Sequence, residues 1–119
     1  MSEAEKALVA GILIGEGSVA CTKVKKPYGR RIYKYPMVMT GMCDEKAVEK
    51  VAEHLHKPVY PSTPESCPRT DENPTGKAYF TRAIGKDALK AMKEIEPYIK
   101  GTQLQRKWLK ALRECEREG

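Results

Sequence analysis

No apolar run in this 119-residue chain approaches the roughly 20 residues that a membrane-spanning helix needs; the run from Ala7 to Gly15 ends far short of it. No membrane partner is expected. Histidine is scarce: His54 and His56 are the only two, and lying two apart near a helix end they point in different directions and make a poor metal pair. The four cysteines, Cys21, Cys43, Cys67 and Cys115, are dispersed without a C-x-x-C pair. That spacing argues against a zinc cluster or a disulfide framework and sets a reducing compartment as the expectation. The N-terminus shows no signal-peptide pattern, and no internal repeat is visible.

Charge is what the sequence has in excess. Lys and Arg outnumber Asp and Glu by 22 to 16, a formal net charge of +6, which favours an anionic partner. The excess is informative because it clusters. Lys23, Lys25, Lys26, Arg30, Arg31 and Lys34 fall within a short stretch, interleaved with Tyr28, Tyr33 and Tyr35. The length suits one domain spanning residues 1–119, with a single core.

Ser2 and Glu5 form a capping box that starts a first helix at Glu3, running to about Gly15. Residues 18–26 alternate imperfectly, and residues 31–42 read as a second strand, with Pro27-Tyr28-Gly29 as the turn between them. Pro36 inside the second strand favours an edge position or a bulge. Asp44 is a good N-cap for a helix with Val48, Val51, Ala52 and Leu55 at helical spacing, ending near His56. Val59-Tyr60 begins a short strand, residues 61–76 form a long polar hairpin loop, and residues 77–84 return as a strand. In that strand Ala78, Phe80 and Arg82 lie on the face opposite Tyr79 and Thr81. Gly85 opens a third helix marked by Ala88, Leu89, Met92 and Ile95 and stopped before Pro97. Thr102 with Gln105 is a second capping box, and Leu104, Trp108, Ala111, Leu112 and Cys115 trace the stripe of a final helix. The fold class is α+β.

The stretch Leu8 to Val19 organises the rest. Gly11 and Gly15 share one helix face, although each costs about 1 kcal/mol relative to alanine in a helix interior. Small residues at that spacing let two helix backbones approach closely. If the partner is the same helix from a second copy, Leu8, Gly11, Ile12 and Gly15 form the expected interface. A two-fold axis through that contact brings two Glu16 carboxylates together. Such a pair repels unless it shares a proton or holds a cation, so dimerisation would build a metal site.

Val9-Ala10-Gly11-Ile12-Leu13-Ile14-Gly15-Glu16-Gly17 resembles the signature of the LAGLIDADG homing endonucleases. Ala10-Gly11, Gly15, Glu16 and Gly17 match; Ile14 replaces an acid that varies in the family. The stretch from Ile95 through Pro97, Lys100-Gly101 and Gln105 is similar to the family's closing segment. The resemblance implies an αββαββα core whose antiparallel, saddle-shaped sheet binds DNA, with an additional C-terminal helix and dimerisation through the motif helix. It implies a homodimeric, site-specific endonuclease that makes double-strand breaks in DNA with short 3′ overhangs. Mg²⁺ (or Mn²⁺) would be the cofactor, and no small-molecule cofactor would be needed. The protein would reside in the cytoplasm, or in the organelle or nucleoid compartment that holds its target.

On that reading Glu16 is the catalytic metal ligand, the Gly15 carbonyl adds a second ligand, and Lys100 is the nearest basic group for catalysis, with Arg82 a second. Base contacts fall to Ser18, Thr22, Lys26, Arg30, Arg31 and Tyr33 on the first hairpin, with Lys77 and Tyr79 from the second. The sequence departs from the family pattern at two places: Thr102 stands where a second lysine is usual, and Met42 or Thr40 where a glutamine is. Those departures keep open a non-catalytic relative, either an intron maturase or a DNA-binding regulator. A small α+β dimer that binds a metabolite or a protein is the reading from a different class.

Overall fold

Ser2 starts the chain's first helix as the capping box requires, its Oγ accepting the Glu5 amide at 3.2 Å. The computed structural model describes residues 2–25, 32–62, 69–71, 73–74 and 76–116. Its elements are α1 (Glu3–Glu16), β1 (Gly17–Lys25), β2 (Ile32–Met42), α2 (Glu45–Leu55), β3 (Tyr60–Ser62), β4 (Ala78–Ile84), α3 (Lys86–Ile99) and α4 (Gln103–Glu116). This is the expected αββαββα order with a further helix. The strands form one antiparallel sheet in the order β1-β2-β4-β3.

One face of the sheet is covered and the other is open. Val38, Thr40, Thr81 and Ala83 are buried, and residues directly opposite in an antiparallel pair share a face. That side meets Val9, Ala10 and Leu13 of α1, Val51 and Leu55 of α2, Ala88, Met92, Ile95 and Ile99 of α3, and Leu104 and Trp108 of α4 in one apolar cluster. Among the described residues, the opposite side, which carries Ser18, Tyr33, Met39 and Arg82, has no helix of that cluster packed on it.

Two prolines sit where the sequence rules place them differently. Pro36 lies inside β2, a central strand, and the pairing with β1 runs without a bulge from Gly17↔Thr40 to Lys25↔Ile32. A central strand tolerates it because β4 has ended: Met37↔Ile84 is the last β2–β4 pair, and the Pro36 carbonyl accepts the Gly85 amide at 2.8 Å. The missing N–H therefore faces a chain already turning into α3. Pro97 lies within α3 instead of ending it. It removes one hydrogen bond, worth about 1 kcal/mol net, in a last turn that buries Ile99 almost completely, a gain of roughly 1.5–3 kcal/mol. The stripe continues because burial outweighs the lost bond.

Other local expectations hold in geometry. Asp44 Oδ1 accepts from the Ala47 amide at 3.3 Å. Thr102 Oγ1 accepts from the Gln105 amide at 3.3 Å while Gln105 Oε1 accepts from the Gly101 amide at 2.9 Å. Buried His54 donates from Nε2 to the Ala91 carbonyl at 2.9 Å, so it ties α2 to α3. Cys43 is held in a disulfide, contrary to the expectation drawn from the dispersed cysteines.

The joint between α1 and β1 fixes everything downstream. Gly17 follows the helix directly in an extended conformation, its N–H donating to the Leu13 carbonyl. A Cβ there would stand 2.4 Å from that carbonyl oxygen and 2.8 Å from Leu13 Cα. Only glycine fits without moving backbone. Gly17→Ala is therefore expected to destabilise the protein by about 2 kcal/mol, within the range for overpacked sites, read as a melting temperature lower by roughly 10 °C.

Candidate functional site

Glu16 is the last residue of α1, not part of a turn beyond it. Its side chain is exposed. Two backbone contacts hold it there: the Gly17 amide bond to Leu13, and a bond from Thr40 Oγ1 to the Glu16 carbonyl at 3.2 Å. Thr40 is nearly fully buried and pairs with Gly17 across the β1–β2 ladder. It satisfies a helix-terminal carbonyl that no further turn would reach. The sequence names Thr40 only as one of two residues standing where the family pattern has a glutamine; its bond to the Glu16 carbonyl depends on strand register and leaves no local trace. Directly across the next pair stands Thr81, whose hydroxyl is buried without a partner among the described residues.

The helix that presents Glu16 has two apolar faces. Val9, Ala10 and Leu13 point into the core. On the outside Leu8 is 50% exposed and Ile14 44%; Gly11 and Gly15 are exposed and Ile12 partly buried. A Cβ on Gly11 or Gly15 would meet nothing within 4 Å. Among the described residues the two glycines therefore have no steric reason, in contrast to Gly17. Lys100 is exposed immediately after α3, the helix against which α1 packs.

Strand pairing arranges the open face in rows. The row beside Glu16 is Ser18–Met39–Arg82, followed by Ala20–Met37–Ile84, then Thr22–Tyr35 and Val24–Tyr33. Arg82 lies exposed two strand spacings, about 10 Å, from Ser18, so it shares the row nearest the carboxylate. On the other flank Tyr60 pairs with Phe80, their rings stacked at 5.4 Å; Tyr33 and Tyr35 stack at 6.5 Å.

Ser18, Thr22 and Tyr33 thus share the open face. Tyr79 does not: like Thr81 it alternates to the helix side, and Lys77, just before β4, is in phase with it. Lys23 and Lys34, paired opposite each other, also take the helix side. Lys26, Arg30 and Arg31 lie outside the described residues. Among the described residues of the open face, Arg82 is the one cation and most of the rest are apolar or aromatic.

Among the described residues no three His, Cys, Asp or Glu side chains cluster into a metal site. Glu16 and the Gly15 carbonyl, both in the exposed last turn of α1, are oxygen donors of the kind Mg²⁺ takes, and that ion needs only one or two carboxylates beside water and phosphate oxygens. One Glu16 carboxylate with a backbone carbonyl meets that minimum, so the donor set fits the ion.

Solved structures share this architecture. An archaeal intron-encoded homing endonuclease, I-Vdi141I, complexed with DNA, matches with a TM-score of 0.61 at 11% identity, over 87% of this chain and 61% of its own. I-CvuI in complex with a DNA target matches at 0.60 and 12% identity, over 91% and 62%. The group I intron-encoded I-CeuI, complexed with DNA, matches at 0.52 and 13%, over 85% and 45%. This is the LAGLIDADG homing-endonuclease fold. The chain spans about three fifths of the length of the first two structures. No protein-family model matches the sequence, and no curated protein matches it. The stretch that resembles the family's signature is α1 with its Gly17 joint, and the first row of the open sheet face begins at Ser18, two residues after Glu16.

Proposed function

We propose that this chain is a site-specific DNA endonuclease that acts as a homodimer, joined through α1 and dependent on Mg²⁺ or Mn²⁺. The observation that carries the reading is the pair Gly11 and Gly15. Each costs a helix about 1 kcal/mol, and a Cβ at either would meet nothing within 4 Å among the described residues, so a close-packed partner helix is what explains them. The outward Leu8 and Ile14 supply apolar area for that contact, and the two-fold places the Glu16 side chains next to each other.

Each Glu16 carboxylate and Gly15 carbonyl would hold the divalent ion. When bound, the metal neutralises charge on the scissile phosphate and lowers the pKa of a coordinated water. The chain's own residues do the rest. Thr40 and Gly17 fix the height of Glu16 above the sheet. Arg82, in the adjacent row, and Lys100 are the cations for phosphate oxygens. Ser18, Thr22 and Tyr33 line the β1–β2 ribbon, an element that fits a DNA major groove, and Lys26, Arg30 and Arg31 add phosphate or base contacts from the sequence between the strands.

A second reading rests on the aromatic pairs. Tyr33–Tyr35 and Tyr60–Phe80 on an open sheet suit stacking with unpaired bases, as a non-cleaving RNA-binding maturase would use. The experiment that separates the two is a selection: protein with Mg²⁺ against a randomised duplex library, beside a chelator control. Metal-dependent cuts at one family of pseudo-palindromic sites support the endonuclease. Tight binding to structured RNA, with no cut in any duplex, supports the maturase.

A further inference from the structure

Cys21 and Cys115 stand 94 residues apart in the chain, yet their sulfurs lie 2.8 Å from each other. That is well inside ordinary contact between unbonded sulfurs and close to the covalent separation of about 2.05 Å. Cys21 is on the helix-side face of β1, opposite Pro36, and Cys115 is in the last turn of α4, which packs on that strand. Both are half-buried and both are free thiols. We propose that Cys21 and Cys115 form a disulfide that staples the final helix to the strand carrying Ser18 and Thr22. This inference does not depend on the endonuclease reading.

The chemistry balances with a low-molecular-weight disulfide as oxidant. The Cys21 thiolate attacks one sulfur of that disulfide, forming a mixed disulfide and releasing one thiolate. Cys115 then loses its proton and attacks Cys21 Sγ, expelling the second thiolate. Two cysteine thiols are oxidised, one external disulfide is reduced, and the two cysteine protons end on the two released thiols. Cys115 is the poorer first nucleophile, since burial and then the neighbouring Cys21 push its thiol up to about 12. Attack on a mixed disulfide held 2.8 Å away removes that handicap, because proximity replaces a bimolecular encounter.

The bond would close a ring reaching from β1 to the end of α4, so it constrains nearly the whole unfolded chain. Longer loops gain more on the chain-entropy account. α4 contributes Leu104, Trp108 and Ala111 to the core, and its last turn is the end most prone to fray. The staple sits at that end.

The test equilibrates the full chain in glutathione buffers from reducing to oxidising, alkylates it, and maps its peptides without reduction. We expect a peptide linking Cys21 to Cys115, lighter by two hydrogens than the two thiol peptides, and a melting temperature higher by on the order of 10 °C in the oxidised protein. Cys115→Ser keeps the disulfide at Cys43, so its gain on oxidation should be smaller than the wild type's by the share that the Cys21–Cys115 bond contributes. Alkylation of both Cys21 and Cys115 in the oxidising buffer would overturn the proposal. So would a link from either to another cysteine, or a gain on oxidation in Cys115→Ser as large as the wild type's.

Discussion

Glu16→Gln is expected to lower double-strand cleavage by about a thousandfold while leaving DNA affinity within about threefold. The loss follows from what a carboxylate supplies and an amide does not. A bound divalent ion provides several kcal/mol of charge stabilisation in phosphodiester hydrolysis, and about 4 kcal/mol corresponds to a thousandfold in rate. Glutamine preserves the shape of the side chain but carries no charge to hold the ion. Glu16 is exposed at the helix end, so stability should move by less than about 0.5 kcal/mol. Cleavage kinetics on a selected site, beside a binding titration in Ca²⁺, would measure both terms. Unchanged cleavage would remove Glu16 from the chemistry and with it the metal site.

Gly11→Leu is expected to weaken self-association by roughly 100-fold or more and to abolish cleavage at low protein concentration. An overpacked site costs about 1–3 kcal/mol, the two-fold repeats it on both sides of the interface, and each 1.4 kcal/mol is tenfold in affinity. Gly11→Ala separates the partner's contribution from the helix's own. In an isolated chain the added methyl meets nothing within 4 Å, and alanine favours the helix by up to about 1 kcal/mol. A monomer should therefore become more stable. A closely packed dimer should become weaker, and sedimentation equilibrium reads the difference. A variant that is stabilised with unchanged association would place the interface elsewhere.

Much of the fold was legible because its helices announce themselves locally. Ser2–Glu5, Asp44–Ala47 and Thr102–Gln105 are short-range caps, and the buried stripes of α2, α3 and α4 repeat at helical spacing. What was not legible depends on pairing across the sequence. Pro36 looked like an edge marker because its tolerance in a central strand rests on where β4 ends. Pro97 looked like a stop because the value of burying Ile99 cannot be weighed from the sequence nearby.

The same division runs through the site. Glu16 and the glycines before it are contiguous, so their pattern shows in the sequence. Arg82 enters the row that begins at Ser18 only through two strand registers, which also make Thr40 the support for the Glu16 carbonyl. The Cys21–Cys115 contact spans nearly the whole chain and left no local trace. Charge clustering located the first hairpin but not its faces: alternation sends Lys23 and Lys34 to the helix side and leaves tyrosines and methionines on the open one.

The central claim is that one break requires Glu16 from two copies of the chain. Mixed dimers test it most directly: wild-type protein is refolded together with Glu16→Gln at varied ratios, and all strand cuts, nicks included, are counted at fixed total protein. If both carboxylates are needed, activity falls as the square of the wild-type fraction, leaving about a quarter at an equal mixture. A linear fall, leaving about half, would mean that each chain cuts with its own Glu16 alone.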